Sequence, residues 1–334
     1  MAEYLGKINL PKDTMLFVVN EIFEKNIKES TSKENILKMI PEIYTEENLP
    51  KLLKMISYEG YMALEKLIEF TKKSDDIKAF EKSIDYRGVR ALEDAMILIV
   101  RAKYSKYLYS LNPNVIEKLI PLFNDRNKEI AERYGKIEKL VKGILYTYGI
   151  VEFDSFKKFI SKYMGEVISE DELLDLFTVR LNLNLFVLMF GIEWENTGEE
   201  QFFITYLNEE EVDYDYIVSE QKSRGLNYKQ FSKKEILDRE EYLWDKNAQT
   251  LYEFIRKSND RLFEFQFKRL LKENEIGYNI MHDLSELCRF NTEEEMIQFA
   301  ELFMEWHNNS PQYVLGGYTP NELRREFYIN KPKR

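Results

Sequence analysis

The stretch "LFVLMFGIEWENTGEEQFFITYL" at residues 185–207 decides the fold class, because it has the pattern of a β-hairpin in an otherwise helical chain. Two apolar runs flank Asn196-Thr197-Gly198, which is a turn signal between strands. A second stretch, "AMILIVRAKYSKYLYSL" at 95–111, holds two shorter β-rich runs around Tyr104–Lys106. Each predicted hairpin follows a group of predicted helices.

The segments around the hairpins are predicted to be helical. Apolar residues recur at spacings of three and four, as at Leu49, Leu52, Leu53 and Ile56. Helix starts are marked by the capping pattern Ser/Thr-x-x-Glu, in which hydroxyl and carboxylate satisfy orphan backbone N–H groups. The pattern occurs at Thr31–Glu34, Ser169–Glu172, Ser232–Glu235, Thr292–Glu295 and Thr319–Glu322, and Asn112-Pro113 marks a further start. The predicted fold class is therefore mainly α, with some β (α+β).

Helices followed by one hairpin, twice over, is the order of winged-helix domains, in which the hairpin is the wing. The sequence thus predicts two winged-helix-like units and an all-α C-terminal domain. The predicted segments are 1–125 with hairpin 95–111, 126–208 with hairpin 185–207, a charged linker at 209–235, and the C-terminal domain at 236–334. The alternative is an α+β body with two unrelated hairpins.

Composition and charge limit the classes of function. The net charge of −11 repels nucleic acid at long range and gives no general affinity for an anionic membrane. A membrane-spanning helix needs roughly 18 apolar residues, and the longest run here, at 185–192, has about eight. The N-terminus has no secretory pattern, and Cys288 is the single cysteine, so we expect a cytoplasmic protein without disulfides or membrane association.

Catalytic and metal-binding motifs are absent from the sequence. It has no phosphate-binding glycine loop, no His-Glu-x-x-His and no Cys-x-x-Cys. Its two histidines are His282 and His307, and the six-residue interval from His282 to Cys288 separates the two side chains on a helix. The acidic run at 209–215 lacks the spacing of a calcium loop. We expect no metal, no cofactor and no catalytic residues, although carboxylates from distant segments could assemble an active site.

Two basic segments are candidates for nucleic-acid contact, because both mix cations with aromatic residues. The candidate residues are Arg101, Lys103, Tyr104, Lys106 and Tyr107 on the first hairpin, and Lys222, Arg224, Lys229, Lys233 and Lys234 in the predicted linker. The alternative interpretation is structural. Tyrosine suits a strand, lysine protects a sheet edge, and the second segment could be a solvated linker that pairs with the acidic run.

The segment "WHNNSPQYVLGGYTPNEL" at 306–323 predicts a helix end, a tight reversal and a new helix. Pro311 stops the first helix, the two glycines permit positive φ, and Thr319 to Glu322 forms a capping box. We expect a buried Trp306, a compact reversal over 306–318, and a helix that begins at Pro320. The alternative is an interaction surface formed by Trp306, Asn308, Asn309, Tyr313, Gly316, Gly317, Tyr318, Thr319, Pro320, Asn321 and Glu322.

The same segment resembles a closing motif of uncharacterised, largely helical bacterial proteins, chiefly from Firmicutes. That motif has the form Asn-Asn-x-Pro-x-aromatic-x-x-x-Gly-aromatic-Thr-Pro-Asn-Glu-Leu, and many such proteins continue into a cysteine-rich, zinc-binding SEC-C module. In this chain no cysteine follows Cys288, so the zinc module is not carried over. The resemblance implies a helical fold and no particular reaction.

Three functions are consistent with these patterns. The leading hypothesis is a non-enzymatic cytoplasmic binding or regulatory protein that acts through protein–protein contacts. The second is a nucleic-acid-binding regulator that uses winged-helix wings and the two basic segments. The third is an enzyme that depends on carboxylates and a metal ion.

Overall fold

Helices make up most of the residues that the structure describes, and two small antiparallel sheets lie between them in the chain. The structure is a computed structural model that describes residues 7–71, 86–103, 106–122, 124–179, 187–194, 198–259, 262 and 264–329. The mainly α prediction with some β is confirmed. No helix within these ranges combines the length and the apolar character needed to cross a membrane.

The helices are numbered in chain order from the N-terminus. They are α1 Lys12–Phe17, α2 Lys33–Ile43, α3 Leu49–Thr71, α4 Tyr86–Asp94, α5 Pro113–Leu119, α6 Asp125–Tyr148, α7 Phe153–Met164, α8 Glu170–Val179, α9 Tyr214–Ser223, α10 Lys233–Leu237, α11 Lys246–Ser258, α12 Glu264–Ile276, α13 Met281–Glu286, α14 Glu293–Asn309 and α15 Pro320–Ile329. A π-helical turn at Val18–Ile22 follows α1, and 3-10 turns lie at Ile120–Leu122 and Tyr313–Leu315.

Four of the five predicted caps stand at their predicted residues. The side-chain oxygens of Ser169, Ser232, Thr292 and Thr319 each accept a hydrogen bond from the backbone N–H three residues later. The prediction of Thr31 was wrong by one residue. Ser32 caps α2 by accepting from Asn35 N, while Thr31 N donates to Lys28 O in the preceding turn.

Both predicted hairpins are present, and each gains a third strand. The strands are β1 Lys7–Ile8, β2 Leu98–Lys103 and β3 Lys106–Leu111 in one sheet, and β4 Ile150–Glu152, β5 Leu188–Glu193 and β6 Glu200–Thr205 in the other. β1 pairs with β2, whereas β4 pairs with β6, and all pairings are antiparallel. The sequence did not predict β1 and β4, because runs of two and three residues carry no detectable alternation.

Contacts divide the chain into two compact units, and the division differs from the predicted domains. The first unit contains residues 1–139 and 164–185, and the second contains 140–163 and 186–334. The predicted segment 126–208 is therefore shared between the units. Residue 236 is not a boundary either, because Ile150 and Phe203 of the second sheet share a core cluster with Tyr313 and Leu315 near the C-terminus.

The predicted linker at 209–235 contains a packed helix. Tyr214, Ile217 and Val218 of α9 are buried, and Asp213 caps the helix by accepting a hydrogen bond from Tyr216 N at 2.9 Å. These apolar residues have helical spacing. The charges around them obscured that spacing in the sequence.

In the first unit, the core joins α1–α5 to the inner side of β2. Helix α3 is kinked at Ser57, which is buried and has a φ of 56°, an unusual value for a residue other than glycine. Gly88 of α4 lies against α3, because a Cβ there would stand 2.6 Å from Glu59 O. Close backbone approach therefore explains this glycine.

Candidate functional site

The C-terminal reversal has the predicted form. Trp306 is 2% exposed, and Ser310 ends α14 in an extended conformation. Gly316 and Gly317 have φ values of 61° and 87°, which favour glycine. Because every residue from 306 to 322 is buried or half-buried, the segment serves packing first.

The cap of α15 is a complete capping box. Thr319 Oγ1 accepts from Glu322 N at 3.2 Å, and Glu322 Oε2 accepts from Thr319 N at 2.9 Å. The second carboxylate oxygen, Glu322 Oε1, lies 2.6 Å from Lys229 Nζ. The cap thereby holds the segment before α10 against the start of α15.

Replacing Thr319 with alanine should cost about 1 kcal/mol of unfolding free energy, because the helix loses its side-chain cap. Chemical denaturation of wild type and variant measures this difference. Thr319→Ser is the matched control, since it keeps the hydroxyl and should lose much less. Equal losses in the two variants would show that the threonine methyl group, not the hydrogen bond, stabilises this site.

Tyr313 connects the reversal to the core of the second unit. Its ring packs on Gly149, where a Cβ would stand 2.3 Å from the ring and φ is 69°. Its hydroxyl donates to Glu275 Oε2 at 2.9 Å and lies 3.0 Å from the Tyr206 hydroxyl. Burial raises the pKa of Tyr313 well above its usual value, so the phenol stays neutral.

Glu275 is the centre of a buried polar cluster formed by Glu275, Arg239, Tyr313 and Lys272. Its Oε1 lies 2.8 Å from Arg239 Nη2 and accepts a hydrogen bond from Leu243 N at 2.9 Å. Arg239 also donates through Nε to Tyr146 O at 3.2 Å. The glutamate and the arginine are both almost completely buried. In the sequence, both read as ordinary charged residues of helix surfaces.

Lys272 belongs to the same cluster but has no hydrogen-bonded partner in the part of the chain that the structure describes. Its Nζ lies 3.9 Å from the centroid of the Tyr206 ring and 5.6 Å from that of Tyr313. This nitrogen is buried and makes no hydrogen bond to the described residues. Burial lowers the pKa of Lys272 to about 8, while Glu275 acts to raise it.

Two cavities adjoin the cluster, and Tyr242 lines both. The first cavity, of about 590 Å³, is lined by Thr147, Phe231, Lys234, Glu235, Asp238, Arg239, Glu240, Tyr242, Leu243, Trp244, Asp245 and Pro311. The second, of about 670 Å³, is lined by Tyr206, Leu207, Asn208, Glu211, Val212, Glu241, Tyr242, Phe265, Arg269, Lys272, Glu273, Ile276 and Tyr278. Both volumes suit a small organic molecule.

The first basic segment lies on the β2–β3 hairpin. Arg101 forms two hydrogen bonds with the Glu34 carboxylate, at 2.8 and 3.2 Å. Tyr104 lies outside the described residues, as do the side chains of Lys103, Lys106 and Tyr107. The one described cation of this segment is thus already paired within the first unit.

Three of the five cations in the second basic segment contact other residues of the protein. Lys222 Nζ lies 3.4 Å from the centroid of the Trp194 ring, Arg224 pairs with Glu220 at 2.6 Å, and Lys229 pairs with Glu322. Lys233 and Lys234 lie in the first turn of α10. None of the partners Trp194, Glu220 and Glu322 belongs to the acidic run at 209–215. Lys222, Arg224 and Lys229 therefore do not make the contacts with that run that the linker interpretation proposed.

His282 and Cys288, the two residues considered for metal binding, lie in different environments. His282 is exposed and lies 3.5 Å from Glu286, whereas Cys288 packs against the core cluster of α11, α12 and α14. Burial raises the pKa of the Cys288 thiol to about 11, which keeps it protonated. Within the described ranges, no three His, Cys, Asp or Glu residues are grouped to hold a metal ion.

The outer side of α14 carries apolar residues that the protein leaves exposed. The apolar spacing of three and four in this helix predicts one face formed by Met296, Phe299, Ala300, Phe303 and Met304. The structure buries Phe299 and Phe303 but leaves Met296 and Met304 exposed by 54% and 42%. The apolar residues of α14 therefore lie on two faces, and the described residues cover only the face that contains Phe299 and Phe303.

Comparisons with models of protein families, with curated proteins and with solved structures find no match to this chain.

Proposed function

We propose that this protein is a non-enzymatic binding protein whose partner docks on the outer face of α14. The observation that carries the proposal is a stripe of Met296, Ala300 and Met304 at four-residue spacing, with exposed Ile297 beside it. Residues four apart lie on the same helix face. Exposed apolar residues that are contiguous in this way favour an interaction surface over scattered surface hydrophobics.

An acidic stripe runs next to the apolar one. Glu294, Glu301 and Glu305 are exposed and share the adjacent helix face, at spacings of seven and four. No lysine or arginine occurs between Glu293 and Asn309. Glutamates in the first turn of a helix interact favourably with the helix dipole. Glu301 and Glu305 lie beyond the first turn, so the dipole does not explain their presence.

The partner best matched to these stripes is a basic amphipathic helix. Methionine side chains are flexible and adapt to different apolar partners, as at promiscuous helix-binding surfaces. The glutamates would attract lysine or arginine on the partner's polar side and speed its approach. The docking face of α14 is defined by Met296, Ile297, Ala300, Glu301 and Met304.

A synthetic peptide tests this proposal. The probe is an amphipathic helix of about 20 residues, with leucines on one face and lysines on the other. We expect saturable binding in fluorescence anisotropy, and a dissociation constant at least about tenfold weaker for the variant Met296→Ser/Met304→Ser. Val167→Ser is the matched control, because it removes an apolar side chain that is 90% exposed elsewhere.

Charge is tested separately from apolar contact. Glu301→Lys/Glu305→Lys should weaken binding of the basic peptide and reduce its dependence on salt. Equal affinity of the wild type and of the methionine variant for the peptide would refute the proposed docking face. Equal affinity for a peptide in which glutamate replaces every lysine would refute the proposed partner class.

Nucleic-acid binding has less support as the function. The order α6, β4, α7, α8 and then the β5–β6 hairpin matches the predicted winged-helix order, in which the helix before the wing would enter a DNA groove, but α8 and the hairpin belong to different compact units. That helix, α8, begins with Glu170, Asp171 and Glu172, and phosphate would repel it. Direct binding of duplex DNA to the protein at physiological salt would instead favour the nucleic-acid function.

A further inference from the structure

We propose that the second unit also binds a small monocarboxylic acid in the cavity of about 670 Å³ that Lys272 lines. This binding site would be separate from the docking face of α14, and its ligand would be a compound with one carboxylate and an apolar or aromatic body. The proposal follows from the balance of buried charge, from the composition of the cavity and from its exposed acidic residues.

The buried charge near Tyr313 is not balanced. Arg239 and Lys272 contribute two cationic groups, while Glu275 is the one buried carboxylate that forms an ion pair or hydrogen bond within this cluster among the described residues; Glu241 acts on Tyr313 from an exposed position. Tyr313 and its neighbour Tyr206 are neutral hydrogen-bonding groups. Since buried charges are stable only when they are paired, a further anion would complete this cluster.

Lys272 is the group able to take that anion. Its ammonium packs on the Tyr206 ring and makes no hydrogen bond to the described residues. Tyr206 and Tyr242, two rings that pack on this ammonium, are also walls of the cavity. Because the lysine stem is flexible, a small rotation would turn the ammonium from the ring to a carboxylate oxygen in the cavity.

The remaining lining residues restrict the ligand. Leu207, Val212 and Ile276 provide apolar walls, which suit a hydrocarbon or aromatic body. Glu211 and Glu241 are exposed and also line the cavity, whereas Glu273 is already paired with Arg269 at 3.2 Å. Glu211 and Glu241 have no ion-pair partner among the described residues, and their charges repel a polyanion such as a nucleotide more strongly than a singly charged ligand. One negative charge on the ligand is therefore the best match.

Isothermal titration calorimetry with the full-length chain tests the site. The probes are 3-phenylpropionate, hexanoate and 3-phenylpropionamide, of which the amide keeps the shape of the first acid and lacks its charge. We expect at least one acid to bind with a dissociation constant below about 1 mM, and the amide to bind about tenfold more weakly or worse. Lys272→Met should cause a similar loss of acid binding.

The control variant is Lys268→Met, on the same helix. Lys268 pairs with Glu264 at 2.7 Å and lines neither cavity, so its removal should leave acid binding unchanged. Thermal unfolding without ligand gives a second measure. The melting temperature of Lys272→Met should stay the same or rise, because the variant removes an incompletely paired buried cation.

Three results would overturn the proposal. These are no binding of either acid at millimolar concentration, equal binding of acid and amide, and unchanged acid binding by Lys272→Met. A marked fall in the melting temperature of Lys272→Met would count against the proposal too, because it would show that Lys272 stabilises the buried polar cluster. None of these results bears on the docking face of α14, whose test uses a different ligand and different variants.

Discussion

Replacing Trp306 with alanine should lower the unfolding free energy by about 3–5 kcal/mol, as for other truncations of large core residues. Trp306 is almost completely buried, and its ring lies 6.0 Å from that of Phe303 and 6.4 Å from that of Phe267. Truncation would leave a cavity at the junction of α11, α12 and α14, whose apolar residues share one core cluster. Chemical and thermal denaturation measure the loss.

Met304→Ala is the matched control for this experiment, because Met304 lies on the same helix with 42% of its surface exposed. The control should change stability by no more than about 0.5 kcal/mol. An unchanged melting temperature for Trp306→Ala, combined with loss of a binding partner, would contradict the packing role. Trp306 would then belong to an interaction surface.

Replacing Glu275 with alanine should lower the unfolding free energy by about 3–5 kcal/mol, because the variant leaves Arg239 buried without its carboxylate partner. Tyr313 and Leu243 N lose a hydrogen-bond acceptor in the same variant. A buried donor that is left without an acceptor costs the full free energy of its desolvation. Urea denaturation of the variant and wild type gives the difference.

The control is Glu273→Ala, two residues earlier on α12. Glu273 pairs with Arg269, whose side chain is 82% exposed, and such surface pairs contribute about 0–1 kcal/mol. A double variant, Glu275→Leu with Arg239→Met, replaces the buried pair by apolar groups and should recover much of the lost stability. If the single Glu275 variant were as stable as the control, the cluster would have no structural role.

The sequence by itself determined the elements of this protein. The cap residues, the turn signals and the apolar spacing located both hairpins, five helix starts and the C-terminal reversal with its buried Trp306. These features depend on interactions between residues close in the chain, such as the hydrogen bond from Glu322 N to Thr319 Oγ1. Local patterns of this kind can be read without knowledge of the fold.

Predictions of burial and charge pairing, which depend on residues distant in the sequence, were less accurate. Met296 and Met304 have the same apolar character as Phe299 and Phe303, and only the packing of α14 decides which residues are covered. The basic residues Arg101 and Lys229 were read as available for phosphate, yet Glu34 and Glu322 lie opposite them. These glutamates are 67 and 93 residues away, so no local pattern reveals the pairs.

Only the tertiary structure decided the candidate ligand site. Arg239, Lys272, Glu275 and Tyr313 are separated along the chain by helices and turns, and no sequence pattern links them to one another. Packing of α12 against the C-terminal reversal brings them together and removes them from water. Burial then changes their chemistry, as the lowered pKa of Lys272 illustrates. Secondary structure follows from local interactions, whereas burial and charge pairing depend on which distant segments meet.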